Sequence, residues 1–403
     1  MAAKMKVCYI LPFYDEGTDT HLFYNYELIK KAARLVDIFV VIEKCQTLDV
    51  RQISQKLGAR VYIQKFKFPP FRFFELFLKC FMLHVSGYRN FYIHYSYYGA
   101  LVAWLTTWRW HRQVRVFYWN RGMPWLFKRG WFEEGVFKFI LRRTILVTGP
   151  ESLAKEYVKR YAVRKYRVLS NWVDVERFKP SDSPKAQIFQ DLAQPGGASR
   201  AIRQQANMRV LEKFGAKAND GLEKLASESP NKRVVLFVHH LSKRKGADLV
   251  PEIAKGFGEN VLFLMIGDGP EFENCKLKIE NFGLKNVKLL GKLPNADLPA
   301  HFHASSVFLM PSREEGSPHV LLEAMASGIP FVASDVGGVR ELVPSSLNQL
   351  LCKSEDVNCF QNKIRTLLSD SALYDKIRNA GLAHAKNFDI SRGVREFIEL
   401  FSE

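Results

Sequence analysis

No apolar run in this chain approaches the ~20 residues that a membrane-spanning helix requires, so an integral membrane protein is not expected. Cysteine is scarce. The six residues (Cys8, Cys45, Cys80, Cys275, Cys352 and Cys359) are scattered, with no Cys-x-x-Cys pair and no metal-like His spacing. A zinc module is therefore excluded, and the cysteines read as reduced thiols of a cytosolic protein. Acidic residues are short in the first half only: residues 1–180 hold 31 Lys+Arg against 14 Asp+Glu, whereas residues 181–403 hold 28 against 27. A strongly basic half favours an anionic surface or substrate: lipid headgroups, lipid-linked phosphate, acidic polysaccharide or nucleic acid. The apolar run at 7–13 is followed at once by Asp15 and Glu16, which suits a first β-strand better than a signal peptide.

What is present is globular. At 403 residues and 47% hydrophobic content, two or three domains with their own cores are expected. Short apolar or β-branched runs at 6–11, 37–42, 60–63, 91–94, 114–118 and 145–148 predict strands, with helical periodicity between them, as at 20–35 and 153–161. The alternation resumes with predicted strands at 233–238, 261–266, 287–290, 307–310 and 330–333 and helices near 246–257, 271–282, 298–303 and 318–327. Such alternation predicts an α/β fold of two doubly wound Rossmann-like domains facing a cleft. The expected division is an N-terminal acceptor-binding domain at 1–180, a linker or insertion at 181–230, a C-terminal donor-binding domain at 231–385 and a terminal helix at 386–403 that can return to the N-terminal domain.

Two segments of the basic half stand out. Residues 65–85 carry seven phenylalanines, and past Pro69-Pro70 they suit a helix with an apolar face at Phe73/Phe74, Phe77/Leu78 and Phe81/Met82. Arg72 and Lys79 would snorkel beside that face if it lies on a membrane; core packing of the same helix is the other reading. Residues 97–129 set Trp104, Trp108, Trp110, Trp119 and Trp125 among arginines and lysines, which suits a membrane interface, a sugar-stacking cleft, a nucleic-acid face or a core.

The most informative stretch is residues 310–330. A buried strand ends at Met310, a polar loop holds Glu315 and Gly316, and a helix follows. Ser317 is the expected N-cap, Pro318 the first helical residue, Gly328 the residue past its end and Pro330 the stop. A helix N-terminus offers free N–H groups to an anion. Glu315 and Glu323 sit around it, and since a carboxylate repels phosphate, they suit hydroxyls on the same ligand. A sugar nucleotide offers both kinds of group.

These residues, with Ile266-Gly-Asp-Gly-Pro-Glu271, Gly283-Leu-Lys-Asn-Val287, Leu290-Gly291, Pro311-Ser312, Val336-Gly-Gly-Val-Arg-Glu341 and Asn171-x-Val-Asp174-x-x-Arg-Phe178-x-Pro180, fall in an order and spacing that resembles the family-4 retaining glycosyltransferases of GT-B architecture (glycosyl transferases group 1). The resemblance covers nearly all of 233–345 and is generic in the first domain. It implies transfer of a hexose, with retention, from a nucleotide sugar such as a UDP- or GDP-hexose to a glycan or lipid-linked acceptor; the basic first half adds the expectation that this happens at the inner, cytoplasmic face of a membrane with an anionic surface. Glu315 would lie beside the hexose, Glu323 would bind the ribose, and Gly316, Ser317, Pro318, His319 and Val320 would hold hexose and diphosphate. Lys245 would neutralise the departing diphosphate. His240 stands where the family has Arg, with Arg244 or Lys243 as a compensating charge. Gly17, Gly267 and Leu293 complete the implied donor side. His94, Asn120, Arg121 and Trp125, with Arg72 and Lys79, form the implied acceptor or membrane side. No Asp-x-Asp occurs, so neither metal nor cofactor is expected. The alternative is a basic nucleic-acid-binding protein on a non-catalytic nucleotide-binding fold, although no nucleic-acid module signature occurs and no nucleic-acid partner is expected. A dinucleotide oxidoreductase fits less well, since Phe272 occupies the third glycine position after Gly267 and Gly269.

Overall fold

The computed structural model describes residues 4–15, 21–45, 49–110, 113–181 and 232–402. The expected insertion at 181–230 and the candidate residue Gly17 lie outside the described residues, apart from Ser181. The chain divides into two compact units, residues 1–170 with 390–403, and residues 171–389.

The first unit holds seven parallel strands: β1 (Lys6–Leu11), β2 (Asp37–Ile42), β3 (Arg60–Ile63), β4 (Asn90–His94), β5 (Arg115–Trp119), β6 (Ile145–Thr148) and β7 (Tyr166–Val168). Their spatial order is β3-β2-β1-β4-β5-β6-β7, the doubly wound order, in which the winding reverses between β1 and β4. β1 from Val7 onward and all of β4 are buried because both sheet faces are covered by helices, which is why Val7–Leu11 and Phe91–Ile93 read as apolar runs. The final helix, Ile390–Glu399, belongs to this unit although it ends the chain. Phe397 is buried against Tyr92 at 5.0 Å and Tyr9 at 6.0 Å between ring centroids, and Phe401 meets Phe117 at 5.1 Å.

The second unit repeats the design with six parallel strands in the order β10-β9-β8-β11-β12-β13. They are β8 (Arg233–Val238), β9 (Val261–Ile266), β10 (Val287–Gly291), β11 (Val307–Met310), β12 (Phe331–Ser334) and β13 (Leu351–Cys352). The winding reverses between β8 and β11, which pair through Val235–Val307 and Leu236–Phe308. The helix His319–Ala326 follows β11 and is buried over Leu321–Ala326.

Four expectations are corrected. The boundary between the units falls after Ser170, not at 180, because Val173 and Phe178 join the second core and the Phe178 ring packs on Phe302 at 5.7 Å. The helix near 319 starts one residue late. Pro318, not Ser317, is its N-cap, and no side chain caps it. Not every cysteine is a free thiol, since Cys352 and Cys359, with Cα atoms 5.9 Å apart, form a disulfide between β13 and the helix Val357–Ser369. Arg72 and Lys79 do not snorkel beside the apolar face but turn toward the sheet side of the helix. Arg72 reaches Glu43 at 3.4 Å and lies over Tyr98, and Lys79 lies over Phe39 and Tyr62 at 4.8 and 4.4 Å.

That last difference follows from the helical period. On the helix Pro69–Val85, Leu76, Cys80 and Leu83 are buried, and Phe73 and Phe77 pack beside the same core. The expected paired face is therefore split in two of its pairs: Phe74 and Leu78 point to solvent while Phe73 and Phe77 pack inward, and Phe81 and Met82 both stay exposed. Among the described residues no helix is long and apolar enough to cross a membrane.

Candidate active site

The second sheet sets the site. In a doubly wound sheet the loops leaving two adjacent strands diverge where the winding reverses, and the gap at their carboxyl ends receives a ligand. Here the strands are β8 and β11. The first loop residue after β8 is His239, and the loop after β11 carries Ser312 and Glu315. Strand pairing brings these distant residues together.

Glu315 is 3% exposed and accepts three hydrogen bonds. The Lys245 ammonium donates to Oε2 at 2.6 Å, His239 Nε2 donates to Oε1 at 3.0 Å, and Ser312 Oγ donates to Oε1 at 2.7 Å. The His239 tautomer follows from its other nitrogen. Nδ1 accepts the His240 backbone N–H at 3.0 Å, so in the neutral ring the proton sits on Nε2, where Glu315 needs it. Burial and the nearby Lys245 charge hold His239 below the ordinary imidazole range despite Glu315, which keeps the ring neutral at pH 7. Burial alone would push Glu315 up, but Lys245 and His239 outweigh it and hold the carboxyl well below its usual range. Lys245 is lowered by burial first, against the opposing pull of Glu315. The buried centre is thus a carboxylate–ammonium pair with a neutral imidazole.

The surrounding backbone is held by close approaches. Lys245 ends a short 3-10 turn, Lys243–Lys245, closed by Gly246 at φ 68°, where a Cβ would meet the Pro311 carbonyl oxygen at 2.0 Å. Gly337, at φ 53°, leaves no room for a Cβ, which would lie 1.8 Å from the Glu315 carbonyl oxygen. Arg313 ties the same turn from outside: it binds Asp248 at 2.7 and 3.0 Å, Glu355 at 2.6 Å and the Lys243 carbonyl at 2.5 Å.

The helix His319–Ala326 opens beside this loop. Asn171 donates to the Ser317 carbonyl and His319 Nδ1 donates to the Trp172 carbonyl at 3.0 Å, so residues 171–172 brace the helix start. The first turn of any helix leaves N–H groups without intrahelical partners, and the helix dipole adds positive potential there. Gly316, Ser317, His319 and Val320 are half-buried and Pro318 is buried. Glu323 is 1% exposed on the same helix, so it is not a solvated helix residue.

The remaining predicted residues fall around and away from this centre. Arg244 is exposed, close enough for its charge to lower both His239 and Lys245. His240, also exposed, follows His239. Gly267 follows β9 and donates to the Gly291 carbonyl at 2.8 Å, and Leu293 packs on the edge of the second core. Sequence reasoning missed His239 and Ser312; the signal was positional, since both lie just past the ends of the two strands where the winding reverses.

In the first unit, His94 and Arg121 meet on Trp119. The imidazole stacks on the indole at 3.9 Å and the guanidinium lies 5.2 Å from its centroid. Arg121 is buried, donates to the Leu169 and Ser170 carbonyls, and is drawn down by burial to about 10. Asn120 is held by Tyr157 at 2.9 Å, Gly122 at 2.9 Å and Tyr118 at 3.2 Å. Trp125 packs edge-on against Tyr157 at 5.5 Å under Arg160. Among the described residues no cluster of three His, Cys, Asp or Glu could hold a metal ion.

This arrangement of loop, lysine turn and helix start coincides with a known domain: residues 223–384 match the family described as glycosyl transferases group 1. The second unit carries a glycosyl transferases group 1 domain. The chain is 32% identical over 175 residues to an uncharacterized glycosyltransferase of Methanocaldococcus jannaschii, covering 42% of this chain and 48% of that relative. It is 30% identical over 199 residues to the UDP-Gal:alpha-D-GlcNAc-diphosphoundecaprenol alpha-1,3-galactosyltransferase of Escherichia coli, covering 47% of this chain and 51% of that relative. The chain therefore spans about half the length of the curated relatives it matches. Solved structures match over the whole chain. HepE of Anabaena, in complex with UDP and glucose, aligns with a TM-score of 0.73 at 17% identity, covering 99% of both chains. WaaG, a glycosyltransferase involved in lipopolysaccharide biosynthesis, aligns with a TM-score of 0.65 at 15% identity, covering 98% and 99%. The fold around the group 1 domain is GT-B.

Proposed function

We propose that this protein is a retaining, metal-independent glycosyltransferase that moves a hexose from a nucleotide sugar to a glycan or lipid-linked acceptor at the cytoplasmic face of a membrane. The observation that carries this reading is the buried Glu315–Lys245–His239 centre beside the start of the helix His319–Ala326. A departing nucleoside diphosphate develops negative charge, and preorganised positive groups at that position are the largest source of stabilisation. The helix N-terminus, exposed Arg244 and the lysine turn supply them. Lys245 is already paired with Glu315, so it acts by polarising a fixed pair, and Arg244 adds the exposed charge. Glu315 would sit at the hexose, where its position is fixed by three donors; Glu323 would take the ribose hydroxyls. The departing phosphate accepts the proton of the attacking hydroxyl, so the reaction asks for no protein base. Similarity to a diphosphoundecaprenol galactosyltransferase supports a lipid-linked acceptor, and the charge of the first 180 residues supports an anionic one.

The test uses donor binding and kinetics. A UDP-, GDP- or ADP-sugar that binds only the folded state raises Tm, and the correct donor should stand out from such a panel. With that donor, Glu323→Ala should chiefly raise KM and Glu315→Ala chiefly lower kcat. Wild-type constants in both variants would overturn the assignment of these residues.

A further inference from the structure

The helix Pro69–Val85 presents an unbroken apolar stripe to solvent. Phe71, Phe74, Leu78, Phe81, Met82 and Val85 are each 40–70% exposed and recur at helical spacing along one side. At about 1.5 Å per residue the stripe runs on the order of 20 Å. Soluble surfaces seldom leave so continuous an apolar band open, and such bands mark an interaction surface. Trp110 extends it at the helix end, 6.5 Å from Phe81 between ring centroids.

Charge identifies what covers it. Between residues 64 and 132 the chain has eleven Lys or Arg and a single acid, Glu75. Glu75 does not face solvent. It is buried, and its carboxylate accepts from Tyr62 Oη and the Lys65 backbone at 2.8 Å and from the Phe66 backbone at 3.2 Å. At the start of the stripe Lys65 and Lys67 are exposed, and at its end so are Arg89 and Arg109. An apolar band with cations at both ends, on a helix whose one acid, Glu75, is buried, suits one kind of partner: an anionic lipid surface, into which apolar side chains sink while lysines and arginines meet the headgroups. A second copy fits poorly, because a two-fold contact across this face would set each cationic end against another.

We propose that the outer face of the helix Pro69–Val85 docks this protein flat on an anionic bilayer, with Phe74, Leu78 and Met82 at the centre of the inserted band. The proposal deepens the membrane-face reading above and rests on it only for the purpose of docking; the docking itself does not depend on the transferase chemistry. That half-buried Arg72 and Lys79 turn toward the sheet does not weaken it, since the headgroup contacts come from the residues flanking the helix.

The experiment is co-sedimentation of the full chain with phosphatidylcholine vesicles and with vesicles of phosphatidylcholine and phosphatidylglycerol in equal parts, at low and high salt. The wild type should bind the anionic vesicles and lose affinity as salt rises. Combined Phe74→Ser, Leu78→Ser and Met82→Ser should weaken that binding by roughly tenfold or more, and Lys65→Glu with Lys67→Glu should do so at low salt. Replacing exposed apolar groups leaves the core intact, so Tm and its rise with the nucleotide sugar should not change. Failure of the transferase reading would appear as no donor raising Tm, with vesicle binding unaffected. Equal binding to neutral vesicles, no binding at low salt, or wild-type binding by the triple variant would overturn the proposal. So would light scattering that shows the wild type as a dimer and the triple variant as a monomer, which would assign the face to a second copy.

Discussion

Glu315 works through its neighbours. With three donors around it, the carboxylate can rotate in no direction without breaking a bond, and a buried charge left with a broken partner is costly. Its backbone is equally constrained, because Gly337 packs directly on its carbonyl. A comparison of two glycines tests this. Gly283 has φ 61° with nothing within 4 Å of a built Cβ, whereas Gly337 has φ 53° and a contact at 1.8 Å. Gly283→Ala should cost only the left-handed strain of about 1–2 kcal/mol. Gly337→Ala should cost clearly more in urea denaturation and should also reduce the thermal shift given by the donor, because the loop carrying Glu315 must move. Equal costs at the two positions would show that the close approach is not rigid. The motif around Glu315 was legible in the sequence, since Gly, Glu and Pro recur there in a recognisable order. Its partner His239 was not, because a neutral histidine following a strand carries no local mark of a carboxylate 76 residues away.

At the scale of elements, short strands and returning helices were the hardest to read. The strands β1, β2, β3, β6, β8, β9 and β11 coincide with their apolar runs. Strands β7 and β13 have three and two residues and lie at sheet edges; exposed Arg167 and Val168 break the apolar signal of β7, and β13, though buried, is too short to show a period. The helix Ile390–Glu399 is clear from its period, and a return to the first domain was the expected destination, although a stripe of that period fits many surfaces and does not name the residues it covers. Its packing makes a definite prediction. Phe397 is fully buried among Tyr9, Tyr92 and Phe401, so Phe397→Ala should destabilise the first unit by about 3–5 kcal/mol in chemical denaturation. A cost near that of a surface substitution, about 0.5 kcal/mol, would mean that the terminal helix does not hold the sheet.

At the scale of the whole molecule, five histidines share one electrostatic condition. His84, His239, His301, His303 and His384 are all held below the ordinary value of 6.5, with burial the first cause in each. Below that value the unfolded chain takes up protons that the folded chain resists, so stability is full above 6.5 and falls as pH drops toward the folded values. Glu315 has the same sign at a lower window: its contribution is present above the ordinary carboxyl value of 4.5 and is lost only as pH falls below it. Tm should therefore decline from about pH 7.5 to about pH 5, with His239→Gln shallower than wild type. A flat Tm across that interval would contradict neutral, buried histidines.

The sequence by itself determined the two α/β units, their parallel strands and the loop–helix stretch around Glu315 and Glu323. Those features depend on local patterns: strand runs, helical period, caps and the spacing of glycine and proline. Only the tertiary structure decided which groups share a carboxylate, where the first unit ends, that Cys352 meets Cys359, and which side of the helix Pro69–Val85 stays open. The physical reason is that these outcomes depend on which strands become neighbours. Lys245 and Glu315 stand 70 residues apart in the chain and 2.6 Å apart in space because β8 pairs with β11, and no period of 2 or 3.6 residues encodes that adjacency.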